Sequence, residues 1–578
     1  MAKLWSKETY LRQFRTTLAD VGFVSDSSYQ VESWIGPVSV EWLDESGTRH
    51  QAAHQVQILL PHGFPYKAPI VLSLDDPPLT SSWHLNPGPE NSLCLWVPNE
   101  GWRPYYTARK LLGRIREWYH YYHTDSWPAD SQMPDLHLYL ENLGMVVTGN
   151  NWQPQEGEDS GFFDLWHLPE FKDYRPSLAS TSQSDVVSGA QPESRLATHV
   201  LPNMKDIVRT RGVWFRVDQP FVPDDRLPAF LTLIDVNCGH QPGWAKKRCI
   251  GAVGQTAGGI GFPIALGYKE HGKSERWLFL WVRFPQSGKK RLKWTKPHHL
   301  SKLKVNSFQT APASSENLLR RSVFLSQELQ SKKVALFGVG ALGSSIGLLL
   351  AKAGTGELVL IDGDTLMPGN VMRHAANLRL VGFDKTVAAR SEIMAHNPDC
   401  VVQCREETWD TINIEKYIEE CDLVIDATAN HLFSLLLNEI CVRHSMPTVF
   451  VAAHRRAYVG RVIIRAQEAD PCVACYVDAP THWSADEYPI IPPSPDETFV
   501  EDGCGAVTEE AVALDVEAVA NLTARIAVKL LQKSLETGNL AILVNEGLQN
   551  VSGVLAEAGT YWRSNTALPE CAICSGDV

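Results

Sequence analysis

The sequence predicts a multidomain α/β protein, with an α+β domain first, a mixed domain in the middle and a Rossmann-like domain at the C-terminal end. Three observations carry this expectation. The chain has 578 residues, more than one hydrophobic core holds together. Residues 1–160 read as strand-like segments between turn signals, bracketed by helices, an α+β pattern. From residue 313 onward short apolar strands alternate with helices, as in a parallel sheet. Residues 161–197 are expected to be a linker and residues 198–312 a connecting domain of unknown role.

Taken in order, MAKLWSKETYLRQFRTTLAD reads as an amphipathic helix and lacks the apolar centre of a secretory signal. VSVEWLD and AHQVQILL flank DESGTRH as the arms of an antiparallel hairpin, and LLGRIREWYHYYH follows as a helix, basic on one side and aromatic on the other. YRPSLASTSQSDVVSGAQPESRLA is rich in Ser, Gln, Pro and Gly without periodicity, hence the expected linker. GVWFRV, AFLTLIDV and RWLFLWVRF read as strands of the middle domain. In the last region VALFG, LVLID and LVIDA are short buried strands. ALGSSIGLLLAKAG between the first two is a helix with Leu342, Ile346, Leu349, Leu350 and Ala353 on one face, and Gly354 as its stop.

Composition narrows the function classes. A formal charge of −13 is the opposite of a nucleic-acid binder's basic footprint and a poor match for an anionic membrane. No apolar run reaches the roughly twenty residues a spanning helix needs, so neither nucleic acid nor membrane is expected as a partner. Twelve cysteines in a chain of this length do not make a disulfide scaffold. Four of them form two Cys-x-x-Cys pairs, which suits a reducing compartment, and a cytoplasmic location is expected.

Gly338-Val339-Gly340-Ala341-Leu342-Gly343 follows a strand and opens a helix. Glycines there allow a tight turn and close backbone approach, and the helix N-terminus favours an anion. Asp362 ends the next strand at a spacing suited to ribose hydroxyls. Alone, this would equally suit a nicotinamide oxidoreductase or mere helix–strand packing. The residues downstream are not those of a dehydrogenase: Asp364, Asn370 and Arg373 within LIDGDTLMPGNVMRH, then Lys385, then Asp426 at the end of a strand. Two cations suit a triphosphate and an acidic residue suits its Mg²⁺.

From about Arg320 to the C-terminus this ordered set resembles the ThiF/MoeB/ubiquitin-activating family of adenylating enzymes. The resemblance implies ATP as substrate, with Asp362 holding the ribose, Asn370, Arg373 and Lys385 on the phosphates and Asp426 on Mg²⁺. It also implies a homodimer in which Arg321, or its neighbour Arg320, reaches into the partner's site. The family's Arg-Gln is Arg373-His374 here.

Cys472 and Cys475 in PCVAC, with Cys571 and Cys574 in ECAIC, can complete a closed Cys₄ zinc site with a structural role; ordinary buried cysteines or a redox pair are the other readings. The wide gap between the pairs matches the MoeB/ThiF pattern. Cys504 lies in FVEDGCGAVTEE ahead of a long helical segment. A similar Cys-Gly-Val stretch in the adenylating family supplies, in some members, the thiolate that attacks the adenylate. A buried small hydrophobe is the alternative.

Near the N-terminus, HLNPGPENSLCLWVPNEGWRP resembles the active-site segment of ubiquitin-conjugating enzymes, and FPYKAP their upstream Pro-rich turn. The match departs from that family at Leu85 and Ala68, where prolines are usual. It implies a thioester on Cys94, an oxyanion-stabilising amide at Asn86, a structural His84, and packing of the loop by Trp102 and Pro104. A conjugating-like domain ahead of an activating domain resembles the CD-NTase-associated conjugating proteins of bacterial CBASS antiphage operons. That implies activation of the C-terminus of a cGAS-like nucleotidyltransferase, its ligation to an acceptor lysine, and reversal by a JAB-type protease. The rivals are a sulfur-carrier adenylyltransferase of thiamin or molybdopterin type, a non-enzymatic scaffold that senses ATP, and the nicotinamide oxidoreductase.

Overall fold

The computed structural model describes residues 6–44, 46–75, 84–86, 92–96, 101–127, 140–149, 152–167, 177–181, 208–217, 225–253, 261–269, 275–283, 303–313, 315–319, 328–407, 413–454, 456–477, 498–500, 507–546, 548–549 and 555–574. The chain divides into two compact units, Met1–Pro312 and Ala313–Val578.

The first unit opens with α1 (Lys7–Asp20), where the Ser6 hydroxyl accepts the Thr9 N–H at the N-cap. Tyr10, Phe14 and Leu18, spaced by four, fall on its buried face. β1 (Val24–Asp26), β2 (Glu32–Leu43), β3 (Arg49–Leu60) and β4 (Ile70–Ser73) form a four-stranded antiparallel meander in that order. The expected hairpin is present and longer than its sequence signal, with β2 and β3 paired from Glu32↔Leu60 to Leu43↔Arg49. α2 (Ala108–Thr124), capped by the Thr107 hydroxyl, buries Leu111, Leu112, Ile115, Trp118 and Tyr119. These join Phe14, Leu18, Val40, Val56 and Ile58 in one core.

The remainder of this unit is a closed barrel in the order β10-β11-β5-β7-β6-β8-β9. Its strands are β5 (Asn142–Thr148), β6 (Ser160–His167), β7 (Ser177–Ser180), β8 (Val208–Val217), β9 (Gly261–Tyr268), β10 (Arg276–Arg283) and β11 (Val305–Pro312). Two expectations are corrected here. The stretch 161–197, expected as a linker, supplies most of β6 and all of β7, and the barrel begins at Asn142 rather than near residue 198. β7 is only four residues long, too short for composition to betray it beside its Ser-rich neighbours, and barrel closure is what pairs it. AFLTLIDV lies in a helix, α3 (Leu227–Asn237), not a strand. Pro228 at its first turn suits a helix start, and Leu227, Phe230, Leu231 and Ile234 bury one helical face. Thr232, Ile234 and Val236, β-branched at every second position, masked that period. α4 (Trp244–Val253) follows it against the same core.

The second unit is built on an eight-stranded sheet with the order β14-β13-β12-β15-β16-β17-β20-β23. The parallel strands are β12 (Lys333–Phe337), β13 (Glu357–Ile361), β14 (Val401–Arg405), β15 (Leu423–Asp426) and β16 (Thr448–His454). β17 (Val459–Arg465), β20 (Leu540–Val544) and β23 (Gly559–Arg563) extend it antiparallel. Small antiparallel pairs are made by β18 (Thr498–Val500) with β19 (Val507–Glu509) and by β21 (Leu548–Gln549) with β22 (Leu555–Ala556). VALFG, LVLID and LVIDA are thus strands, as expected. Their residues alternate between two cores: Val334 and Leu336 on one face, Ala335 and Phe337 on the other.

α5 (Ala341–Ala353) ends at Gly354, whose φ of 105° makes the left-handed cap the sequence foretold. Its most buried residues are Gly343, Ser344, Ser345, Ile346, Gly347, Leu350 and Ala351, so the buried face is set mainly by small residues. Leu342, Leu349 and Ala353, expected to lead it, are only half-buried. Close approach to the sheet and to α8 (Ala513–Leu531), rather than side-chain bulk, fixes this helix. The crossovers are completed by α6 (Lys385–His396) and α7 (His431–Arg443).

α8 closes with Lys533 N–H bonded to Leu530 O and Ser534 N–H to Lys529 O, a Schellman end that places Lys533 at φ 54°. A side chain in that conformation costs about 1–2 kcal/mol, partly offset by glycine's looser unfolded state. Lys533→Gly is expected to stabilise the unit by about 0.5–1 kcal/mol, read as a raised unfolding midpoint.

Candidate active site

The sheet order puts β13 on one side of β12 and β15 on the other, so the connections leaving β12 and β15 part at the carboxyl edge and open a crevice. Gly338 turns there at φ +81°, and a Cβ on it would lie 2.7 Å from the Thr428 backbone. Gly343 passes so close to the Gly338 carbonyl that any side chain would collide with it. Gly340 caps α5 and has open space where a Cβ would be. The first and third glycines are therefore demanded by packing. The second faces the crevice, where bare backbone lets a ligand approach the helix N-terminus.

Asp362, next after β13, accepts the Val339 N–H at 2.7 Å and the Asp364 N–H at 2.8 Å. Burial raises its pKa, opposed by the nearby Lys385 ammonium. Lys385 heads α6 and is held by Asp364 at 2.7 Å. Asn370 and Arg373 sit on the loop between Asp362 and α6, where the Asn370 side chain accepts the Met367 N–H at 3.0 Å.

Asp426 ends β15 and is buried. It accepts bonds from the Thr428 N–H at 2.9 Å, the Thr428 hydroxyl at 2.7 Å and the Ser434 hydroxyl. Burial raises its pKa against these donors, and among the described residues no cation lies within ion-pair distance. A buried carboxylate oriented by three neutral donors fits a divalent cation, which would relieve its desolvation.

These residues converge. A cavity of about 550 Å³ is lined by Gly340, Asn370, Arg373, Lys385 and Asp426, and an adjoining one of about 250 Å³ by Gly338, Asp362, Asp364, Glu407 and Phe433. Gly340, Lys385, Ala427 and Thr428 line both. Arg320, Arg321 and Cys504 lie outside the described residues. So do 501–506, which separate β18 from β19 in sequence.

Several residues here were given no role from the sequence. His374 is buried; its Nδ1 accepts the Ala376 N–H at 2.9 Å, so Nε2 carries the proton and donates to the Val339 carbonyl at 2.8 Å. That bond ties the phosphate-side loop to the glycine turn, and desolvation pushes the imidazole's pKa down to about 4. Thr428 and Ser434 orient Asp426, and their signal was present as a hydroxyl two and eight residues beyond a strand-terminal Asp. His454, at the end of β16, and Arg461, on β17, line the larger cavity. Neither belongs to a motif.

In the first unit Cys94 and Asn86 share a small hairpin closed by a Leu85↔Leu93 bridge. Cys94 N–H donates to His84 O at 2.7 Å and Asn86 N–H to Ser92 O at 2.6 Å. The Asn86 amide donates to Ser92 Oγ at 3.1 Å and Leu93 O at 3.2 Å, so in this conformation it holds the hairpin, and stabilising an oxyanion requires exchanging one of those bonds. Cys94 is half-buried, and burial raises its thiol pKa while Arg114 opposes the rise. His84 stacks on Trp127 with ring centroids 3.4 Å apart and has its pKa pushed down to about 4 by burial, a structural placement. Trp102 donates to Pro65 O at 2.7 Å and packs against Phe64, Trp96 and Tyr106.

Cys472, Cys475, Cys571 and Cys574 bring four sulfurs within 4.8 Å of one another, with Cys472–Cys571 at 3.6 Å and Cys475–Cys574 at 3.5 Å. Sulfurs on a tetrahedral zinc stand about 3.8 Å apart, given Zn–S bonds of about 2.3 Å. The spacing fits a closed Cys₄ site far better than disulfides. The Leu568 N–H donates to Cys475 Sγ, and Asn438 accepts the Val473 N–H beside the first pair.

Residues 315–553 match the ThiF family. The chain is 24% identical over 550 residues to the uncharacterized protein y4oA of Sinorhizobium fredii, covering 87% of each chain. It is 32% identical over 161 residues to the molybdopterin-synthase adenylyltransferase of Escherichia coli, covering 27% of this chain and 64% of that one. To the adenylyltransferase and sulfurtransferase MOCS3 of Drosophila willistoni it is 31% identical, covering 31% of this chain and 37% of that one. The chain thus spans less than two thirds of these two named enzymes. A crystal structure of E. coli MccB with ATP aligns over 44% of this chain and 69% of that one, at 20% identity and a TM-score of 0.33. The second unit carries a ThiF/MoeB-type domain, and among the described residues no helix is long and apolar enough to cross a membrane.

Two measurements test this geometry. Metal analysis of purified protein is expected to find about one zinc per chain, lost in Cys472→Ser and Cys571→Ser together with a lowered unfolding midpoint. His374, neutral in the folded protein, contributes stability that is complete above its unfolded pKa of roughly 6.5 and is lost as pH falls toward its folded pKa of about 4. His374→Gln is expected to flatten the pH dependence of stability in that window, measured by denaturant unfolding.

Proposed function

We propose that this protein activates the C-terminal carboxylate of a client protein with ATP, carries it as a thioester on Cys504, passes it to Cys94 and ligates it to an amine. The observation that carries the reading is the convergence of the glycine turn, Asn370, Arg373, Lys385 and Asp426 on one cavity. The adenylyltransferase names of the relatives matched by the second unit support the first step.

A carboxylate oxygen of the client attacks the α-phosphorus of ATP. The bond to pyrophosphate breaks, and an acyl-adenylate remains. Arg373 and Lys385 neutralise phosphate oxygens, Asp362 accepts from ribose hydroxyls, and the Gly340 backbone leaves room at the α5 N-terminus. Mg²⁺, held by Asp426, would supply further neutralisation of the triphosphate. The protein's part is placement and charge. The Cys504 thiolate then attacks the acyl carbonyl with loss of AMP, and the Cys94 thiolate displaces Cys504. An amine attacks the second thioester, forming the amide and returning Cys94. Fusion of both cysteines in one chain gives the transfer a high effective concentration. The four-cysteine cluster would scaffold through zinc without an open coordination position.

In this proposal the client is the C-terminus of a cGAS-like nucleotidyltransferase, ligated to a lysine in antiphage signalling and released by a JAB-type protease. A homodimer would let Arg321 reach a neighbouring site, and the exposed Met372 and Leu378 suit such an association. The second reading, a sulfur-carrier adenylyltransferase, is favoured by the molybdopterin-synthase relative and has no use for Cys94.

Arg373→Ala and Asp426→Asn are expected to lower client-dependent pyrophosphate–ATP exchange by about 100-fold or more without changing the unfolding midpoint of the first unit. Cys504→Ala is expected to abolish reducer-sensitive client adducts. Cys94→Ala is expected to leave an adduct on Cys504 and to eliminate ligation to lysine. Intact ligation in Cys94→Ala would overturn the two-cysteine relay and favour the sulfur-carrier reading.

A further inference from the structure

The larger cavity extends well past the nucleotide-side residues. The glycine turn follows β12 and Asp426 ends β15, but the wall continues over β16 and β17 through Phe450, Ala452, His454, Arg461 and Ile463. With strands about 4.8 Å apart, the three steps from β12 to β17 span roughly 14 Å. That spacing lies between β12, whose glycine turn reaches the cavity at Gly340, and Arg461 on β17, which lines the same cavity. In the β16–β17 register Arg461 stands opposite Ala452, and His454 is two residues further along β16 on the same face. His454 Nε2 is buried with no hydrogen-bond partner among the described residues. Burial lowers its pKa to about 4, and the neighbouring Arg461 charge adds to that, so its imidazole is neutral. Desolvation also lowers the Arg461 guanidinium, to about 10, yet leaves it charged at neutral pH.

A tail carboxylate approaching the α-phosphate brings one anion up to another. Out of bulk water, that repulsion is weakly screened. Arg373 and Lys385 stand with the glycine turn, on the phosphate side. A cation on the opposite wall, out of bulk water, is what holding the incoming carboxylate requires.

We propose that Arg461 is the binding residue for the reacting C-terminal carboxylate of the client, with neutral His454 beside it hydrogen-bonding the peptide backbone of the tail. The inference rests on the adenylation reading and names the substrate group that the β16–β17 end of the site takes. The wall there, at Ala452, Ala453 and Ala457, leaves room for an extended chain of small residues.

The test uses the full-length protein loaded with Mg²⁺ and α,β-methylene-ATP. It is titrated calorimetrically with acetyl-Ala-Ala-Gly-Gly bearing either a free carboxylate or a C-terminal amide. The wild type is expected to prefer the acid by about tenfold or more, as a charge-assisted hydrogen bond implies. Arg461→Gln is expected to erase the preference while holding analogue affinity within about threefold, and Arg461→Lys to restore part of it. His454→Ala is expected to weaken acid and amide alike. An undiminished preference in Arg461→Gln, no preference or no binding of the acid in the wild type, or loss of analogue binding in Arg461→Gln would each overturn the assignment. Failure of the wild type to bind the analogue at all would instead overturn the adenylation reading itself.

Discussion

The contact that organises the second unit is backbone against backbone, where the Gly338 turn leaving β12 lies against Ala427 and Thr428 leaving β15. Those strands are parallel neighbours, and the chain leaves them toward opposite sides of the sheet. The connections therefore cannot fill the space between them, and a crevice opens at the carboxyl edge. Only glycine tolerates both the positive φ and the absence of room at residue 338. The same contact brings the α5 N-terminus and Asp426 to one rim. His374, donating to the Val339 carbonyl, brings the loop of Asn370 and Arg373 to it as well.

Electrostatics are arranged along this crevice rather than concentrated at one point. Asp362 and Asp426 are carboxylates whose pKa values burial raises, each steadied by neutral donors. Lys385 and Arg373 lie on one side and Arg461 on the other, with neutral His454 beside it. Burial makes the two carboxylates costly to ionise, which is why each gathers hydrogen-bond donors.

The four-cysteine cluster lies elsewhere in the second unit. The antiparallel strands β17, β20 and β23 extend the sheet beyond its parallel half, and long stretches of chain separate them. Cys472 and Cys475 follow β17, and Cys571 and Cys574 follow β23, so one cluster brings together segments about a hundred residues apart. The first unit's hairpin is held differently, by the Asn86 amide bonding across it to Ser92 and Leu93. Cys94 is thereby fixed in place but kept only half-buried.

Residue order alone was enough for the short parallel strands, the glycine turn, the Gly354 stop and each Cys-x-x-Cys pair, whereas the family resemblance was needed to expect that the two pairs meet and that Asn370, Arg373, Lys385 and Asp426 line one cavity. Each of the first group is local: a strand-length apolar run, a conformation only glycine adopts, a two-residue spacing between cysteines. The barrel needed the folded chain, because a four-residue strand with Ser-rich neighbours counts only through partners distant in sequence. So did α3, whose alternating β-branched residues concealed a helical face, and so did the roles of His374, His454 and Arg461. His374 stands at a motif position but takes its role from the glycine turn it bonds, while His454 and Arg461 lie outside any motif and take theirs from the wall on which strand pairing places them.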